Sequence, residues 1–370
     1  MTVNNKRKTV KYFVASDIHG HGSEFISLLL GNGFVPNDDG QMLVICGDCF
    51  DRGSDNKSLF KFLKNVKNKV IIRGNHEDIL KNILKRGYIT VSDIRNGTDV
   101  TVEELCGVGS IDGSTGAVEI SDYRRRQIEE YLSQTVDYYE TESFVFVHGW
   151  IPEPSAVTGD WRNATAYDWG RSRWDSWLQM RDKYWVNKKL IICGHRSSCF
   201  ASRVDSTRRE DDYSPYYGEH FIAIDPLTIV SGVINILVLE DKPLESIVHY
   251  MRLDRAFWSK VARGSKTVEM RLFDEKRRKI KAGDRIIFES NDPAGDRIEA
   301  EVLGTYVYPS FKALTEDFEP KSLGFAGRSS EQVSDFMNRF YPEESVRKYG
   351  TVAIKIKALK ETLIVFRGEN

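Results

Sequence analysis

Residues 14–20 read VASDIHG, residues 43–53 read LVICGDCFDRG, and residues 70–77 read VIIRGNHE. In each segment a short apolar, β-branched run leads into a polar loop that contains glycine, a pattern that predicts a strand followed by a turn. The polar loops follow one another at intervals of 31 and 27 residues, close to the roughly 30 residues of a β-α-β unit. Because parallel strands bring their carboxyl ends to one edge of a sheet, the three loops are predicted to meet there.

Two later segments and one intervening segment extend this pattern. Residues 143–147 lead into His148, and residues 190–192 lead into Gly194 and His195. Between the second and third loops, residues 54–66 place four apolar side chains at positions i, i+3, i+4 and i+7, which predicts one buried face of a helix. The chain up to about residue 240 is therefore predicted to be an α/β domain with polar side chains at the strand ends.

The predicted strand-end loops carry side chains that can bind metal ions. Two divalent cations about 3.5–4 Å apart need hard oxygen and imidazole ligands together with a shared anionic bridge. Asp48 is the predicted bridge, Asp17 and His19 would hold one ion, and the remaining side chains would complete the other. These donors suit manganese, our first choice, and also iron or zinc. The candidate metal ligands are Asp17, His19, Asp48, Asn75, His148 and His195.

Asp51 and His76 are predicted to form a carboxylate–imidazole pair. The carboxylate would orient the imidazole and raise its pKa, so that His76 could protonate a leaving alkoxide. Arg52 directly follows Asp51 and is a candidate to bind phosphate through its guanidinium group. The remaining candidates for contacting a substrate phosphate are Asn75, Arg171 and Arg173, and the sequence does not decide between the two arginines.

These motifs resemble the phosphoprotein-phosphatase branch of the calcineurin-like metallophosphoesterases, whose pattern is GDxHG, GDxxDRG, GNHE and two later histidines. Ser16 replaces the first glycine of the pattern, at a position that is not a ligand. The resemblance covers about residues 11–240. The resemblance implies a two-sheet αββα sandwich and agrees with the ligand roles given above. It also implies in-line attack on phosphorus by a hydroxide that bridges the two metal ions. The matching segments are SDIHG (16–20), GDCFDRG (47–53), RGNHE (73–77), VHG (147–149) and CGH (193–195).

The last third of the chain has a different character. Between residues 252 and 285 there are 12 basic and 5 acidic side chains, and such a cluster suits a phosphate backbone, although a charge run is often only a solvated surface. The segment GSKTVEMRLFDEKRRKIKAGDRIIF (264–288) resembles the opening of the ASCH domain, a PUA-like β barrel associated with RNA or modified nucleotides. Glu269 stands where hydrolytic members would have a catalytic threonine, so binding is favoured over hydrolysis. The candidate RNA- or nucleotide-binding residues are Lys266, Glu269, Arg271, Arg277 and Arg278.

The predicted fold class is α/β: an αββα two-sheet metallophosphoesterase sandwich over residues 1–243, followed by a small, mostly-β PUA-like barrel over residues 246–370. The longest apolar runs are about five residues, whereas a membrane span needs about 20. The beginning of the chain lacks a run long enough for a signal peptide, and five cysteines disfavour a secreted disulfide framework. We therefore expect a cytoplasmic protein with no membrane partner.

Several substrates are compatible with this sequence. A phosphomonoesterase similar to the serine/threonine protein phosphatases is the first expectation, and its partner would be a phosphorylated protein or nucleotide. A bis(5'-nucleosyl)-tetraphosphatase and an RNA-end phosphatase are the alternatives within the enzyme class. The alternative of another class is an RNA-binding protein in which the phosphatase domain is secondary. The sequence does not fix the substrate, the metal or the oligomeric state.

Overall fold

The computed structural model describes residues 9–155, 159–183, 186, 188–244, 246–292 and 296–359. The chain divides into two compact units, which are both discontinuous in sequence. Unit 1 comprises residues 1–151 and 170–244, and unit 2 comprises residues 152–169 and 245–370. Among the described residues, none of the helices combines the length and the apolar character that a membrane span requires.

Unit 1 alternates short strands with helices. Its strands are β1 Val10–Ala15, β2 Gln41–Ile45, β3 Lys69–Ile71, β4 Tyr139–Glu140, β5 Phe144–Phe146, β6 Leu190–Cys193, β7 Tyr216–Tyr217, β8 Phe221–Ala223 and β9 Leu237–Asp241. Its helices are α1 Gly22–Gly31, α2 Asn56–Asn65, α3 Asn75–Arg86, α4 Val91–Arg95, α5 Thr98–Cys106, α6 Asp122–Gln134, α7 Ala166–Ser172, α8 Trp177–Met180 and α9 Thr228–Ser231. Helix α7 contains the passage from unit 2 back to unit 1.

The strands of unit 1 form two sheets. The first has the order β3-β2-β1-β9, in which β1, β2 and β3 are parallel and β9 is antiparallel to β1. The second has the order β4-β5-β6-β8-β7, with β5, β6 and β8 parallel and an antiparallel strand at each edge. Every loop that follows a parallel strand therefore leaves its sheet at the carboxyl edge.

The alternation of side chains along β1 explains how the layers pack. Phe13 and Ala15 point toward the core formed with α1 and α2, where Phe25, Leu29 and Leu59 are fully buried. Tyr12 lies on the opposite face of β1, and its ring centroid is 6.1 Å from that of Phe146 in the second sheet. The two sheets thus face each other. On the far side of the second sheet, Trp177 of α8 stacks on Phe221 of β8 at 5.5 Å, which completes the predicted αββα order.

The described residues of unit 2 form a mixed sheet with the order β10-β12-β13-β14-β11. Its core contains Trp258, Phe273, Phe288 and the alternate residues of the strands. The predicted mostly-β character of this region is confirmed. The strands are β10 Val248–Leu253, β11 Val268–Leu272, β12 Arg285–Ser290, β13 Arg297–Tyr308 and β14 Thr351–Ala358, and the helices are α10 Arg255–Ala262, α11 Phe311–Asp317, α12 Ser330–Asn338 and α13 Glu343–Tyr349.

The segment 152–169 joins unit 2 although it lies within the first half of the chain. Asn163 receives a hydrogen bond from the hydroxyl of Thr305 at 3.2 Å and donates to the carbonyl of Arg278 at 3.4 Å. The rings of Trp161 and Trp169 contact each other at 6.1 Å. No sequence pattern indicates this excursion, and the domain limits 1–243 and 246–370 stay a prediction.

Candidate functional site

The carboxyl edges of the two sheets of unit 1 bring the predicted polar loops together. Asp17 and His19 follow β1, and Asp48 follows β2. Asn75 is the first residue of α3, four residues after β3. His148 and His195 each lie two residues beyond a parallel strand of the second sheet. All of these side chains except that of His195 are buried.

The carboxylate of Asp48 lies at the centre of three imidazoles. Its Oδ2 atom is 3.4 Å from Nε2 of His148 and 3.9 Å from Nε2 of both His19 and His76. Two donor atoms that each lie about 2.1 Å from a common ion are separated by roughly 3–4 Å. The spacing around Asp48 is therefore that of ligands of a shared metal ion rather than that of directly bonded ion pairs.

Hydrogen bonds to backbone carbonyls fix which imidazole nitrogens can bind a cation. Nδ1 of His148 lies 2.7 Å from the carbonyl oxygen of Cys46, and Nδ1 of His19 lies 3.1 Å from that of Phe50. Because Nδ1 must donate in these bonds, Nε2 of each neutral ring carries a lone pair. Nε2 of His148 lies 2.8 Å from Oδ1 of Asn75 and 3.4 Å from Oδ2 of Asp48, and a cation bound between these atoms would displace a proton from Nε2.

Among the described residues, two groups of side chains meet the distance requirement for a metal ion. One consists of His19, Asp48 and His76, and the other of Asp48, His148 and His195; within each group the donor atoms lie within 4.8 Å of one another. Asp48 belongs to both groups, as a bridging ligand must. Asp17 adjoins the first group, with Oδ1 3.8 Å from Nε2 of His19, and its Oδ2 accepts from the backbone N–H of His195 at 2.9 Å. The donor set fits two divalent ions.

The electrostatics of this cluster are dominated by burial and by Asp48. Burial lowers the pKa of His148, but the charge and hydrogen bond of Asp48, the charge of Asp17 and the Cys46 carbonyl together outweigh it and raise that pKa to about 10. Burial also raises the pKa of Asp48, whereas His148 and His76 hold it well below its usual value. For His19 burial prevails and lowers the pKa to about 3, so this imidazole is neutral and available as a ligand.

The backbone at the site adopts an uncommon conformation. Asp17, His19, Asp48, Asp51 and His195 all have positive φ, between 48° and 74°. Residues other than glycine rarely adopt this region, and such strain concentrates at functional sites. A β-carbon on Gly74 would collide with the Asp48 carboxylate, and one on Gly194 with the Asp17 carboxylate. The glycines of these motifs therefore give the carboxylates room beside the neighbouring backbone.

Asp51 and His76 form the predicted pair. The Nδ1–H of His76 donates to Oδ2 of Asp51 at 2.6 Å, and both side chains are buried. A guanidinium N–H of Arg52 lies 3.3 Å from Nε2 of His76, and the Arg52 residue itself is exposed. Burial lowers the pKa of His76, but Asp48 and Asp51 outweigh it, so the pKa is raised. The role of His76 as a proton donor rather than a metal ligand stays a prediction.

Three buried residues beside the site were not anticipated from the sequence. Glu77 accepts backbone N–H bonds from Gly74 at 2.8 Å, Asp48 at 3.0 Å and Cys49 at 3.0 Å, and thereby joins the second and third loops. Thr98 and Thr101 donate their hydroxyls to Asp51. Glu77 belongs to the GNHE motif, which could have indicated its role, whereas no motif marks the threonines.

The two arginines proposed for phosphate binding have different surroundings. Arg173 is buried and forms ion pairs with Asp78, at 2.6 Å, and with Asp137. Arg171 is exposed. The two carboxylates around Arg173 compete with any phosphate for its guanidinium group, and the choice between the arginines stays a prediction.

In unit 2 the structure brings three of the five candidate residues together. Nζ of Lys266 lies 3.3 Å from Oε2 of Glu269, whose Oε1 is 3.1 Å from the guanidinium of Arg271. Burial lowers the pKa of Lys266, and Glu269 opposes this effect without cancelling it. Arg277 pairs with Asp274 at 2.8 Å, and Arg278 stacks 4.5 Å above the ring of Phe273. The role of these residues in binding nucleic acid is untested.

Comparison with protein families matches both parts of the chain. The family model for the calcineurin-like phosphoesterases matches residues 10–199, just over half of the chain. The family model for the ASCH domain matches residues 251–360. Among curated proteins, the asymmetrical bis(5'-nucleosyl)-tetraphosphatase PrpE of Bacillus subtilis is 31% identical over 103 residues. That match covers 25% of this chain and 42% of PrpE, so the chain spans less than half of this relative.

Solved structures are similar to parts of the chain. A Pyrococcus furiosus protein solved by NMR is 36% identical, and the match covers 31% of this chain and 99% of that one with a TM-score of 0.26. A serine/threonine phosphatase from Saccharomyces cerevisiae is 15% identical. That match covers 66% of this chain and 83% of the phosphatase chain, with a TM-score of 0.39. The motifs at the strand ends and the family match over residues 10–199 agree. The chain therefore belongs to the calcineurin-like phosphoesterase family and carries an ASCH domain after its phosphoesterase domain.

Proposed function

We propose that unit 1 hydrolyses phosphate monoesters with the help of two divalent metal ions, in the manner of the serine/threonine protein phosphatases. The observation that carries this proposal is the position of Asp48 among the imidazoles of His19, His76 and His148. The Asp51–His76 pair adjoins this cluster and supplies a proton donor. Two bound divalent ions would activate a water molecule as nucleophile and neutralise charge on the phosphoryl group.

The side chains of the chain itself would position the substrate and transfer the proton. Arg52 and Asn75 would hold the non-bridging phosphate oxygens, Arg52 through its guanidinium fork and Asn75 through its amide. His76 would donate the proton on Nε2 to the oxygen of the departing alcohol, while Asp51 accepts from Nδ1 and orients the ring. Because Asp51 and His76 are both buried, bulk water does not compete for the hydrogen bond between them.

A dinucleoside polyphosphate is the second candidate substrate. The specific observation in its favour is the similarity to the bis(5'-nucleosyl)-tetraphosphatase of Bacillus subtilis, which is 31% identical over 103 residues. The same cluster could serve this reaction, with a nucleotide phosphate in place of an alkoxide as the leaving group. A nucleotide leaving group would need less proton donation from His76 because its phosphate is a weaker base than an alkoxide.

Unit 2 is proposed to bind RNA or a nucleotide. The support comes from its match to the ASCH domain over residues 251–360 and from the 12 basic side chains between residues 252 and 285. The Lys266–Glu269–Arg271 cluster, in which Arg271 is partly exposed, would offer both a donor and an acceptor to a base or a phosphate. RNA binding through this unit would favour an RNA end among the substrates of unit 1.

A substrate panel on the full-length protein tests the proposed function. The protein is stripped of metal and then reconstituted separately with Mn²⁺, Zn²⁺ or Fe²⁺. Its turnover of para-nitrophenyl phosphate, a phosphoserine peptide, a 5'-phosphorylated oligoribonucleotide and diadenosine tetraphosphate is then measured. We expect metal-dependent turnover of the monoesters. Preferential turnover of diadenosine tetraphosphate would favour the second candidate, and no turnover with any metal would contradict both.

A further inference from the structure

The carboxylate of Asp51 is held by two buried hydroxyls in addition to His76. The hydroxyl of Thr98 donates to Oδ2 at 2.7 Å, and that of Thr101 donates to Oδ1 at 2.6 Å. Neither threonine is accessible to solvent. Thr98 and Thr101 are three residues apart on α5, so they lie on the same face of this helix. We call these two residues the threonine clamp.

The direction of these hydrogen bonds is fixed. The backbone N–H of Asp51 donates to Oγ1 of Thr101 at 3.0 Å, so the hydroxyl proton of Thr101 is available for Oδ1 of the carboxylate. Thr98 and the Nδ1–H of His76 both donate to Oδ2, so the Asp51 carboxylate acts only as an acceptor. A carboxylate that accepts three such bonds has a fixed rotation, and it therefore fixes the plane of the His76 ring.

Helix α5 is itself tied to the motif that carries Asp51. Gly97, which caps the helix, has a φ of 74°, and a β-carbon there would lie 2.5 Å from the backbone nitrogen of Arg52. Glu104, near the other end of α5, accepts the backbone N–H of Asn56 at 2.6 Å. The side-chain Oδ1 of Asn56 in turn accepts from the backbone N–H of Asp51 at 3.0 Å. These contacts hold the clamp in register with Asp51.

We propose that the threonine clamp positions the Asp51–His76 pair for proton transfer, so that Thr98 and Thr101 are positioning residues of the reaction. The proposal rests on the proposed function, in which His76 protonates the leaving group. Loss of a clamp hydroxyl would let the Asp51 carboxylate rotate and loosen its bond to His76. The cost would fall on substrates that need the proton most, those with poor leaving groups.

The test compares isosteric and hydroxyl-preserving substitutions in the full-length protein. Thr98→Val and Thr101→Val remove the hydroxyl and keep the shape, whereas Thr98→Ser and Thr101→Ser keep the hydroxyl. The buried Thr315, whose hydroxyl donates to the carbonyl of Lys312 in unit 2, provides the control variant Thr315→Val. Turnover is measured with para-nitrophenyl phosphate and with a phosphoserine peptide, and thermal unfolding confirms that each variant folds.

We expect the valine variants to lose about 10- to 100-fold in kcat for the phosphoserine peptide, by analogy with residues that orient metal-bound histidines. Their loss for para-nitrophenyl phosphate should be much smaller, and the serine variants should recover the peptide activity. Equal losses for both esters, or no recovery in the serine variants, would overturn the proposal. So would valine variants that match wild type.

A second readout does not depend on activity. The Nδ1 proton of His76 should give a downfield NMR resonance in the metal-free protein and after addition of diamagnetic Zn²⁺, because it is held by Asp51. In both valine variants this resonance should shift upfield or broaden through exchange, and it should persist in the serine and Thr315→Val variants. An unchanged resonance in the valine variants would overturn the proposal. If the wild-type protein shows no phosphatase activity, the proposed function is contradicted. The NMR readout then decides by itself whether the clamp positions the His76 ring.

Discussion

Nδ1 of His76 lies 2.6 Å from Oδ2 of Asp51, and this bond leaves the other ring nitrogen directed toward Asp48, at 3.9 Å from its Oδ2. The ring can therefore serve in one of two ways. As a proton donor it would carry a proton on Nε2 and deliver it to a substrate oxygen. As a ligand it would offer a lone pair on Nε2 to a metal ion. The two roles differ in what happens to metal content when the ring is removed.

His76→Ala should therefore keep both metal ions and lose turnover selectively. For a general acid, we expect a loss of roughly 10²–10⁴-fold with a phosphoserine peptide and a smaller loss with para-nitrophenyl phosphate. Metal content by atomic emission and turnover of both esters are measured on the same preparation. His220→Ala, at a partly exposed histidine, is the control. Loss of one metal equivalent would instead identify His76 as a ligand.

Asp48→Asn should remove most of the activity, because a neutral amide cannot serve as the anionic bridge between two cations. Replacing a residue that only hydrogen-bonds to a metal ligand typically costs about 10–100-fold in metal affinity or activity. Replacing Asp48 itself should therefore cost about 100-fold or more. Metal content and turnover are measured together. Asp39→Asn, at an exposed aspartate, is the control. Full metal occupancy with a near wild-type rate would show that Asp48 is not the bridge.

Arg52→Ala should weaken binding of phosphate. A hydrogen bond to a charged group contributes about 1.5–3 kcal/mol, so KM and the inhibition constant for inorganic phosphate should rise by about 10- to 100-fold. Steady-state kinetics with phosphate as a competitive inhibitor give both constants. Arg126→Ala, on the exposed side of α6, is the control. If phosphate inhibition is unchanged, Arg171 and Arg173 become the residues to test.

Gly97→Ala should displace the backbone of Arg52, although the two residues lie far apart in sequence. The added β-carbon would lie 2.5 Å from the backbone nitrogen of Arg52, at a φ of 74° that side chains rarely adopt. A shift of about 1 Å in a positioning residue can cost roughly 100-fold, so kcat/KM should fall by up to that amount. Gly31→Ala, where nothing lies within 4 Å of the new carbon, should be silent. Wild-type kinetics in Gly97→Ala would indicate that Arg52 does not need this backbone position.

The nucleic-acid proposal predicts a strong dependence of RNA affinity on salt. Phosphate contacts in single-stranded RNA contribute a slope of about −0.7 each in log affinity against log salt concentration. Reversing two contacts by Arg277→Glu with Arg278→Glu should flatten the slope by about 1.4. Fluorescence anisotropy of a labelled oligoribonucleotide on the full-length protein measures it. Arg347→Glu with Lys348→Glu makes the same charge change on α13, and an equal effect there would mean only general electrostatic attraction.

The features that the sequence predicts best are the local ones. The runs before Asp17 and Asp48 become β1 and β2, and the helical period over residues 54–66 becomes α2 at Asn56–Asn65. The convergence of their loops follows from strand direction alone, because parallel strands end at one edge. The fold class and the family could therefore be recognised from short motifs with regular spacing.

The features that the sequence did not predict depend on contacts between distant residues. Thr98 and Thr101 reach Asp51 across 47 and 50 residues, and a buried threonine on a helix has no periodic signal that distinguishes it from core. Arg173 resembled a phosphate ligand, yet Asp78 and Asp137 surround it from 95 and 36 residues away. Such pairings follow from tertiary packing, which single-sequence patterns do not record.

The route of the chain through residues 152–169 also has a consequence for biosynthesis. A nascent chain that has emerged as far as residue 244 holds every segment of unit 1, and its two sheets can form. It already carries Trp161 and Trp169, which belong to unit 2 and are buried in the folded protein. At about 5–20 residues per second, the ribosome needs roughly 3–13 s more to reach the end of β13. During that interval the two indole rings lack the sheet of their own unit, and a chaperone or a second nascent chain could bind them.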